Sequence, residues 1–326
     1  MANLRSLHMS NNRLAGPIPK SLGSLSSLQV LDLSHNLLTG HIPTFIGKLT
    51  KLDLSYNPLN GSIPESFTRL EDLTQLVLNN NMLTGFIPSS IGRLVSLQEF
   101  SVSSNLLNGN IPISVGQLTK LQSLGLSENS LKGVVSKAHF VNLLMLKHMD
   151  LSSNNNLTFN VSRAWMPPFQ LVTLDLSSSK IEDGFPQWLR MQRRLVRLSL
   201  SNASISGPLP EWFRKMPISP FLKLSHNKLS GPLTNLPDVE TVTDVAYQFS
   251  RAFLLQNDLF NKSILQSFCK SKNIYAIQLS GNRLTGKIPN CLGDLQKLGV
   301  LILSKNALSG VIPISLRNCS SLKWLS

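Results

Sequence analysis

Cysteine is scarce in this chain: there are three in 326 residues, Cys269, Cys291 and Cys319. That scarcity argues against a disulfide-dense scaffold, and no CxxC pair offers a metal or redox site. Acid is scarce too, with 17 Asp and Glu against 31 Lys and Arg, a formal net charge of +14. Such a surface attracts acidic partners, but aromatics are only 6% and no basic stripe interleaved with them is present, so nucleic acid is not an expected partner. No apolar run reaches the roughly eighteen residues that cross a bilayer. The opening Met1-Ala2-Asn3-Leu4-Arg5-Ser6 lacks a charged-then-apolar leader. The motifs GxxxxGK[ST], HExxH and GxSxG are missing as well, and the six histidines are scattered. No enzyme activity, cofactor or metal is therefore expected.

What is present is repetition. The segment Leu28 through Pro43 recurs as Leu73 through Pro88, Leu97 through Pro112 and Leu298 through Pro313. Asparagines mark it at Asn12, Asn36, Asn57, Asn81, Asn105, Asn129 and Asn154, then at Asn227, Asn282 and Asn306, most gaps being 24 residues. A period in the twenties with LxxLxLxxN is the signature of a leucine-rich-repeat solenoid. The predicted fold is α/β: a curved solenoid of about thirteen coils, with a parallel sheet on the concave side and short helical, 3₁₀ or loop returns on the convex side.

Alternation along each strand puts Leu31 and Leu33 inside, and Val30, Asp32 and Ser34 outside. The asparagine ends the strand, where its amide can satisfy buried turn groups. In the return, Gly40, Gly85 and Gly109 suit a permissive turn. Pro43, Pro88 and Pro112 suit the first turn of a short helix. The steps Leu22-Gly23, Ile46-Gly47 and Ile91-Gly92 are read as a core plug followed by a helix breaker. Exposed bases such as Lys20, Lys48, Arg69, Arg93 and Lys120 fall on the convex side or its edges.

One solenoid domain is expected over residues 1–326, regular at 1–133, irregular at 134–273 and regular at 274–326, with neither end carrying a capping repeat. Asn57 follows Asn36 by only 21 residues, so three are missing from that return. Ser179 and Ala203 replace the asparagine in two coils; alanine requires a bound water or a shifted backbone in compensation. The worst match runs from Thr234 to Phe268, where Asn257 is placed at the asparagine position, with Leu254 and Leu259 beside it. Asp238, Glu240 and Asp244 make this stretch locally acidic. Stacking also brings His8, Asp32 and Asp53 into one outward row, which has the composition of an acid–base group but reads more simply as a polar row on a binding surface.

The LxGxIP half of the repeat (Leu38-Thr39-Gly40-His41-Ile42-Pro43 and Leu284-Thr285-Gly286-Lys287-Ile288-Pro289) resembles the plant-specific class of leucine-rich repeats. Gly133-Val134-Val135-Ser136 through Trp165-Met166-Pro167-Pro168-Phe169-Gln170-Leu171 is similar to a run in plant receptor-like proteins of the xylanase-receptor group. The resemblance implies an ectodomain fragment that binds a peptide or protein along its concave sheet, in defence or developmental signalling. It also implies pairing with a leucine-rich-repeat co-receptor kinase, and a plasma-membrane location on the extracellular face for the intact relative. The alternatives are a soluble apoplastic inhibitor of cell-wall hydrolases and a nonfunctional gene fragment.

Candidate ligand contacts are the outward residues that vary from coil to coil: His8, Asp32, His35, Tyr56, Glu99, Glu128, His148, Arg197, Lys223, His226 and Gln278. Six N-x-[ST] sequons, at Asn60, Asn156, Asn160, Asn202, Asn261 and Asn318, are glycosylation candidates if the protein is secreted. Cys269 and Cys291 lie in consecutive coils near bridging range; kinship with extracellular proteins raises the weight of a disulfide, and a free pair stays open as the alternative. Cys319 reads as a small packed side chain.

Overall fold

The computed structural model describes residues 3–44, 48–217, 221–237, 251–270 and 273–326. Chain contacts divide the protein into two compact units, Met1–Leu171 and Val172–Ser326. Each is a solenoid built from the same coil.

In the first unit seven strands pair in parallel, each with the next: Ser6–His8, Val30–Asp32, Lys51–Asp53, Gln75–Val77, Glu99–Ser101, Ser123–Gly125 and His148–Asp150. The register sets Leu31, Leu52, Leu76, Phe100, Leu124 and Met149 in one buried row. The second unit repeats this with Thr173–Asp175, Arg197–Ser199, Phe221–Lys223, Arg251–Leu254, Ile274–Gln278, Val300–Ile302 and Trp324–Leu325. Its buried row is Leu174, Leu198, Leu222, Phe253, Ile277 and Leu301. Each such side chain contributes about 1.5–3 kcal/mol by leaving water, so the rows supply most of the cohesion between coils.

The returns are 3₁₀ segments such as Glu65–Arg69, Ser89–Arg93, Ile113–Gln117, Glu211–Lys215 and Asn290–Asp294, with one four-residue α-helix at Lys20–Gly23. The proline stands one residue before each of these, as at Pro64, Pro88, Pro112 and Pro289. Gly92 does not break its helical segment as expected; it lies inside it, buried. A Cβ there would sit 2.5 Å from the Ser114 carbonyl oxygen, so the glycine is what lets consecutive returns approach. Ile46 and Gly47 lie outside the described residues.

The turn expected at the glycine is also more ordered than its sequence suggests. Short strands Ala15–Pro17, Leu37–His41, Leu59–Gly61 and Met82–Leu83 form a second parallel sheet beside the first in the first unit, and Asn108–Asn110, Ser130–Val135 and Asn156–Phe159 pair in the same way. In the second unit the equivalent sheet has five strands, from Ser206–Pro208 to Ala307–Leu308.

Asparagine locks one coil to another. The Asn36 Oδ1 accepts the Leu14 N–H of the preceding coil at 3.0 Å, while its Nδ2 donates to the carbonyls of Met9, Leu33 and Ser34. Asn57, Asn81, Asn105, Asn129, Asn154, Asn227, Asn282 and Asn306 make the same set of bonds. At Ala203 a shifted backbone compensates: the Ala203 carbonyl itself accepts the Ile181 N–H at 3.0 Å. The Asn227 Oδ1 then takes the N–H groups of both Ala203 and Ile205.

Asn257 is not the ladder residue of its coil; Asp258 is. Asp258 is 3% exposed and its Oδ1 accepts the Leu229 N–H at 3.0 Å, the bond every ladder asparagine makes. Asn257 occupies the preceding position, which is left-handed in coil after coil (His35 φ 53°, Tyr56 φ 54°, Glu128 φ 53°, Asn257 φ 57°). The slip also reverses Leu254, which faces outward while Phe253 and Leu255 are buried.

The Asp258 Oδ2 is buried without a hydrogen-bond partner where an asparagine would donate. Burial pushes its pKa from 3.8 to about 8, against the opposing hydrogen bonds from the backbone at Leu229 and Asn227. Because the folded state holds this proton more tightly, the stabilisation is complete below about pH 4 and is lost as pH rises towards 8, by up to about 1.4 kcal/mol per pH unit. Replacing Asp258→Asn should therefore raise the melting temperature, by more at pH 8 than at pH 4. An equal or lower melting temperature at pH 8 would contradict the assignment. Asn105→Ala removes the partner of the Leu83 N–H and of the Leu78 and Val102 carbonyls, and should cost about 2–3 kcal/mol in denaturant unfolding.

Candidate functional site

With the leucines and asparagines committed to the interior, the variable side chains are left on the outer face of the strand sheets and along the turn at the strand ends. In the first unit His8 and Asp32 stand directly opposite on paired strands, with Asp53 next in the row. Glu99 and His148 occupy the other outward strand position, two residues earlier in the coil. In the second unit Arg197 takes that earlier position, while Lys223 and Gln278 share the later one. His35, Tyr56 and Glu128 hold the left-handed turn position along the rim of the first unit's sheet, and His226 holds the same position in a coil of the second unit. His35 and Tyr56 stack, with ring centroids 4.1 Å apart and planes 11° apart.

The row of His8, Asp32 and Asp53 is structural in part. The Asp32 Oδ1 accepts both the N–H and the hydroxyl of Ser34, at 3.0 and 2.7 Å, and Asp53 binds Ser55 in the same way. Ser34, expected to point outward, is buried, as is its counterpart Ser55. For the Asp32 carboxyl, burial is the largest influence and acts upward. The hydrogen bonds from Ser34 and Ser10 together with nearby His8 outweigh it, so the group is held below its ordinary 3.8. A carboxylate that is held ionised and bonded locally serves poorly as a general acid. Glu99 accepts a hydrogen bond from Gln75 at 2.9 Å and Glu128 one from Ser104 at 2.7 Å, so both are oriented across neighbouring coils.

The face of the second unit has a different chemistry. Arg197 lies over the Phe221 ring, 4.6 Å from its centroid, a cation–π contact that fixes the guanidinium. Leu254 and Ile302 extend the row of Lys223 and Gln278, and Val300 extends the row of Arg197 and Phe221. Phe221, Leu254, Val300 and Ile302 were not among the expected contacts. Phe221, Val300 and Ile302 were legible from strand alternation alone, whereas Leu254 was hidden by the one-residue slip at Asn257. The acidic trio Asp238, Glu240 and Asp244 lies outside the described residues.

Cys269 and Cys291 form a disulfide between consecutive returns, with Cα atoms 5.6 Å apart. Cys319 is a free, buried thiol whose Sγ meets the Leu292 carbonyl. Of the sequons, Asn60, Asn156, Asn160, Asn202 and Asn318 are exposed, while Asn261 is half-buried with an enclosed Oδ1 that has no hydrogen-bond partner.

Stacked parallel strands, 3₁₀ returns and a buried asparagine ladder define a leucine-rich-repeat protein. The leucine rich repeat family matches residues 1–45 and 47–107, and again 194–216 and 273–295. Among curated proteins, the receptor-like protein EIX1 of Solanum lycopersicum is 40% identical over 60 residues, which is 18% of this chain and 6% of that protein. Receptor-like protein kinase 7 of Arabidopsis thaliana is 44% identical over 59 residues, again 18% of this chain and 6% of that protein. Among solved structures, the ectodomain of the Arabidopsis receptor kinase HAESA, in complex with an N-terminally extended IDA peptide hormone ligand, superposes with a TM-score of 0.82 at 30% identity. That match covers 99% of this chain and 57% of that one. The ectodomain of the Arabidopsis receptor kinase GASSHO1/SCHENGEN3, in complex with CASPARIAN STRIP INTEGRITY FACTOR 2, gives a TM-score of 0.79 at 29% identity, over 99% of this chain and 41% of that one. The chain is thus a leucine-rich-repeat solenoid similar to plant receptor-like proteins, and it spans 6% of the length of the curated relatives it matches and 41–57% of these solved ectodomains.

Exposure separates the sequons. Expressed through a plant secretory pathway, the chain should carry glycans at Asn60, Asn156, Asn160, Asn202 and Asn318 and none at Asn261. Glycosidase release in heavy water followed by peptide mass spectrometry reads each site. Full occupancy at Asn261 would mean that its coil is open when the glycan is added.

Proposed function

We propose that this chain is part of the ligand-reading ectodomain of a plant cell-surface receptor-like protein, acting in defence or developmental signalling. It binds a peptide or protein on the outer face of its strand sheets, on the extracellular side of the plasma membrane, and the bound receptor pairs with a leucine-rich-repeat co-receptor kinase. The observation that carries this reading is the division of labour within each coil: a constant buried ladder holds outward positions that differ from one strand to the next. The likeness to peptide-bound receptor ectodomains supports it, as does the disulfide, a bond that persists in oxidising compartments. No helix among the described residues is long and apolar enough to cross a membrane.

The test uses peptides from plant apoplastic fluid, captured on the immobilised chain and identified by mass spectrometry. Alanine at Tyr56, His148 and Arg197 should weaken their binding tenfold or more without lowering the melting temperature, since aromatic and long cationic side chains dominate most interfaces. Alanine at the exposed Lys48 and Arg93, outside the sheet face, should leave it unchanged. Equal losses at both sets, or at neither, would place recognition away from the sheet.

A further inference from the structure

The same outward positions carry opposite chemistry in the two units. On the first unit's strands and rim stand Asp32, Asp53, Glu99, Glu128 and Asp150, against one Lys or Arg, Lys51. On the second unit they carry Arg197, Lys223 and Lys305, and the acidic residue there among the described residues is Asp175, whose carboxylate accepts the Ser177 N–H. The second unit also places half-buried apolar side chains where the first is mostly polar. Phe221 and Val300 lie in the row of Arg197, and Leu254 and Ile302 in the row of Lys223. A half-buried apolar sheet surface that has Arg197 and Lys223 in its own two rows at one end, with Lys305 on the rim at the other, is asymmetric along those rows, and the asymmetry selects both the composition and the direction of what lies on it.

We infer that the sheet face of the second unit binds an extended peptide segment with an acidic side chain at one end, meeting Arg197 and Lys223, and apolar side chains along the rest, lying over Leu254, Val300 and Ile302. The inference rests on the proposed peptide-reading function and assigns it a place and a ligand chemistry. Dimensions agree with it. From the Arg197 strand to the Val300 strand there are four inter-strand steps, about 19 Å at 4.8 Å each. An extended chain rising about 3.3 Å per residue crosses that distance in about six residues. Charge complementarity sets the polarity: a basic end would face two cations, whereas an acidic one gains a charge-assisted hydrogen bond from a guanidinium already held by Phe221.

The experiment uses the full chain and an array of acetylated, amidated hexapeptides, which removes both terminal charges. One set has Asp or Glu in the two positions at either end and apolar residues in the other four; a matched set has Lys or Arg in place of the acids. The acidic set should bind at least tenfold more tightly. Combining Arg197→Glu with Lys223→Glu should reverse the preference, an outcome that loss of folding cannot produce. Ile302→Thr, a strand-compatible change, should weaken both sets while circular dichroism and melting stay as before. No preference, or a preference unmoved by the double reversal, overturns the inference. If binding instead follows Glu99→Lys and Asp150→Lys on the first unit, the sheet reads peptides but not here, so the inference fails and the proposed function stands. If neither array peptides nor captured apoplastic peptides bind, both fail.

Discussion

A coil of this protein must reverse direction immediately after a strand of about three residues and bury the turn against its neighbours. That burial leaves backbone N–H and C=O groups that no water can reach, each costing about 1–3 kcal/mol if unpaired. One asparagine amide resolves the problem, because it carries an acceptor and two donors on a short stem. The Asn36 amide accepts from one coil back and donates both within its own coil and to the coil before it. The leucine rows supply more energy, but burial of apolar surface is non-directional and would tolerate a slipped coil. The amide would not. Leucine makes the stack cohesive; asparagine sets its register.

The exceptions show what the amide is required to do. At Ala203 the backbone carbonyl replaces the lost acceptor, and Asn227 of the next coil takes a second N–H. At Asp258 the acceptor is kept and the donor is lost, so burial forces the carboxyl towards its protonated form, in which it regains a donor. In both places the chain restores the acceptor geometry first. The donor side, which serves several carbonyls with spare lone pairs, tolerates more variation.

The period, the strand positions and the ladder were legible because they are fixed offsets, repeated many times. The second set of strands was not. Leu37–His41 and Leu59–Gly61 are short and contain glycine, a poor strand residue, and they are extended because neighbouring coils pair with them. The glycine of Ile91-Gly92 was read as a breaker because sequence shows local permissiveness and not the Ser114 carbonyl lying against it. Sequence alone points to Asn257, one residue off, because its type matches the ladder and that of Asp258 does not. With a side-chain period of two, one residue was enough to turn Leu254 from a surface residue into a core residue. Residue type misleads most where a coil departs from its own consensus. There, the left-handed turn position, shared by His35, Tyr56, Glu128 and Asn257, is the surer marker.

The covalent bond lies close to that departure. The coil whose ladder residue is Asp258 pairs its strand, Arg251–Leu254, with Ile274–Gln278, and that pairing contains a register irregularity. The disulfide ties the returns that follow these two strands, Gln266–Lys270 and Asn290–Asp294. Closing a loop with a sequence separation of 22 residues removes unfolded-state entropy worth about 3 kcal/mol, comparable to what a buried amide with all its hydrogen bonds provides. The bridge thus stands beside the rung at which Asp258 replaces the ladder asparagine. It ties the returns that follow the strands carrying Leu254 and Gln278, so these two coils are joined by a covalent bond as well as by strand pairing.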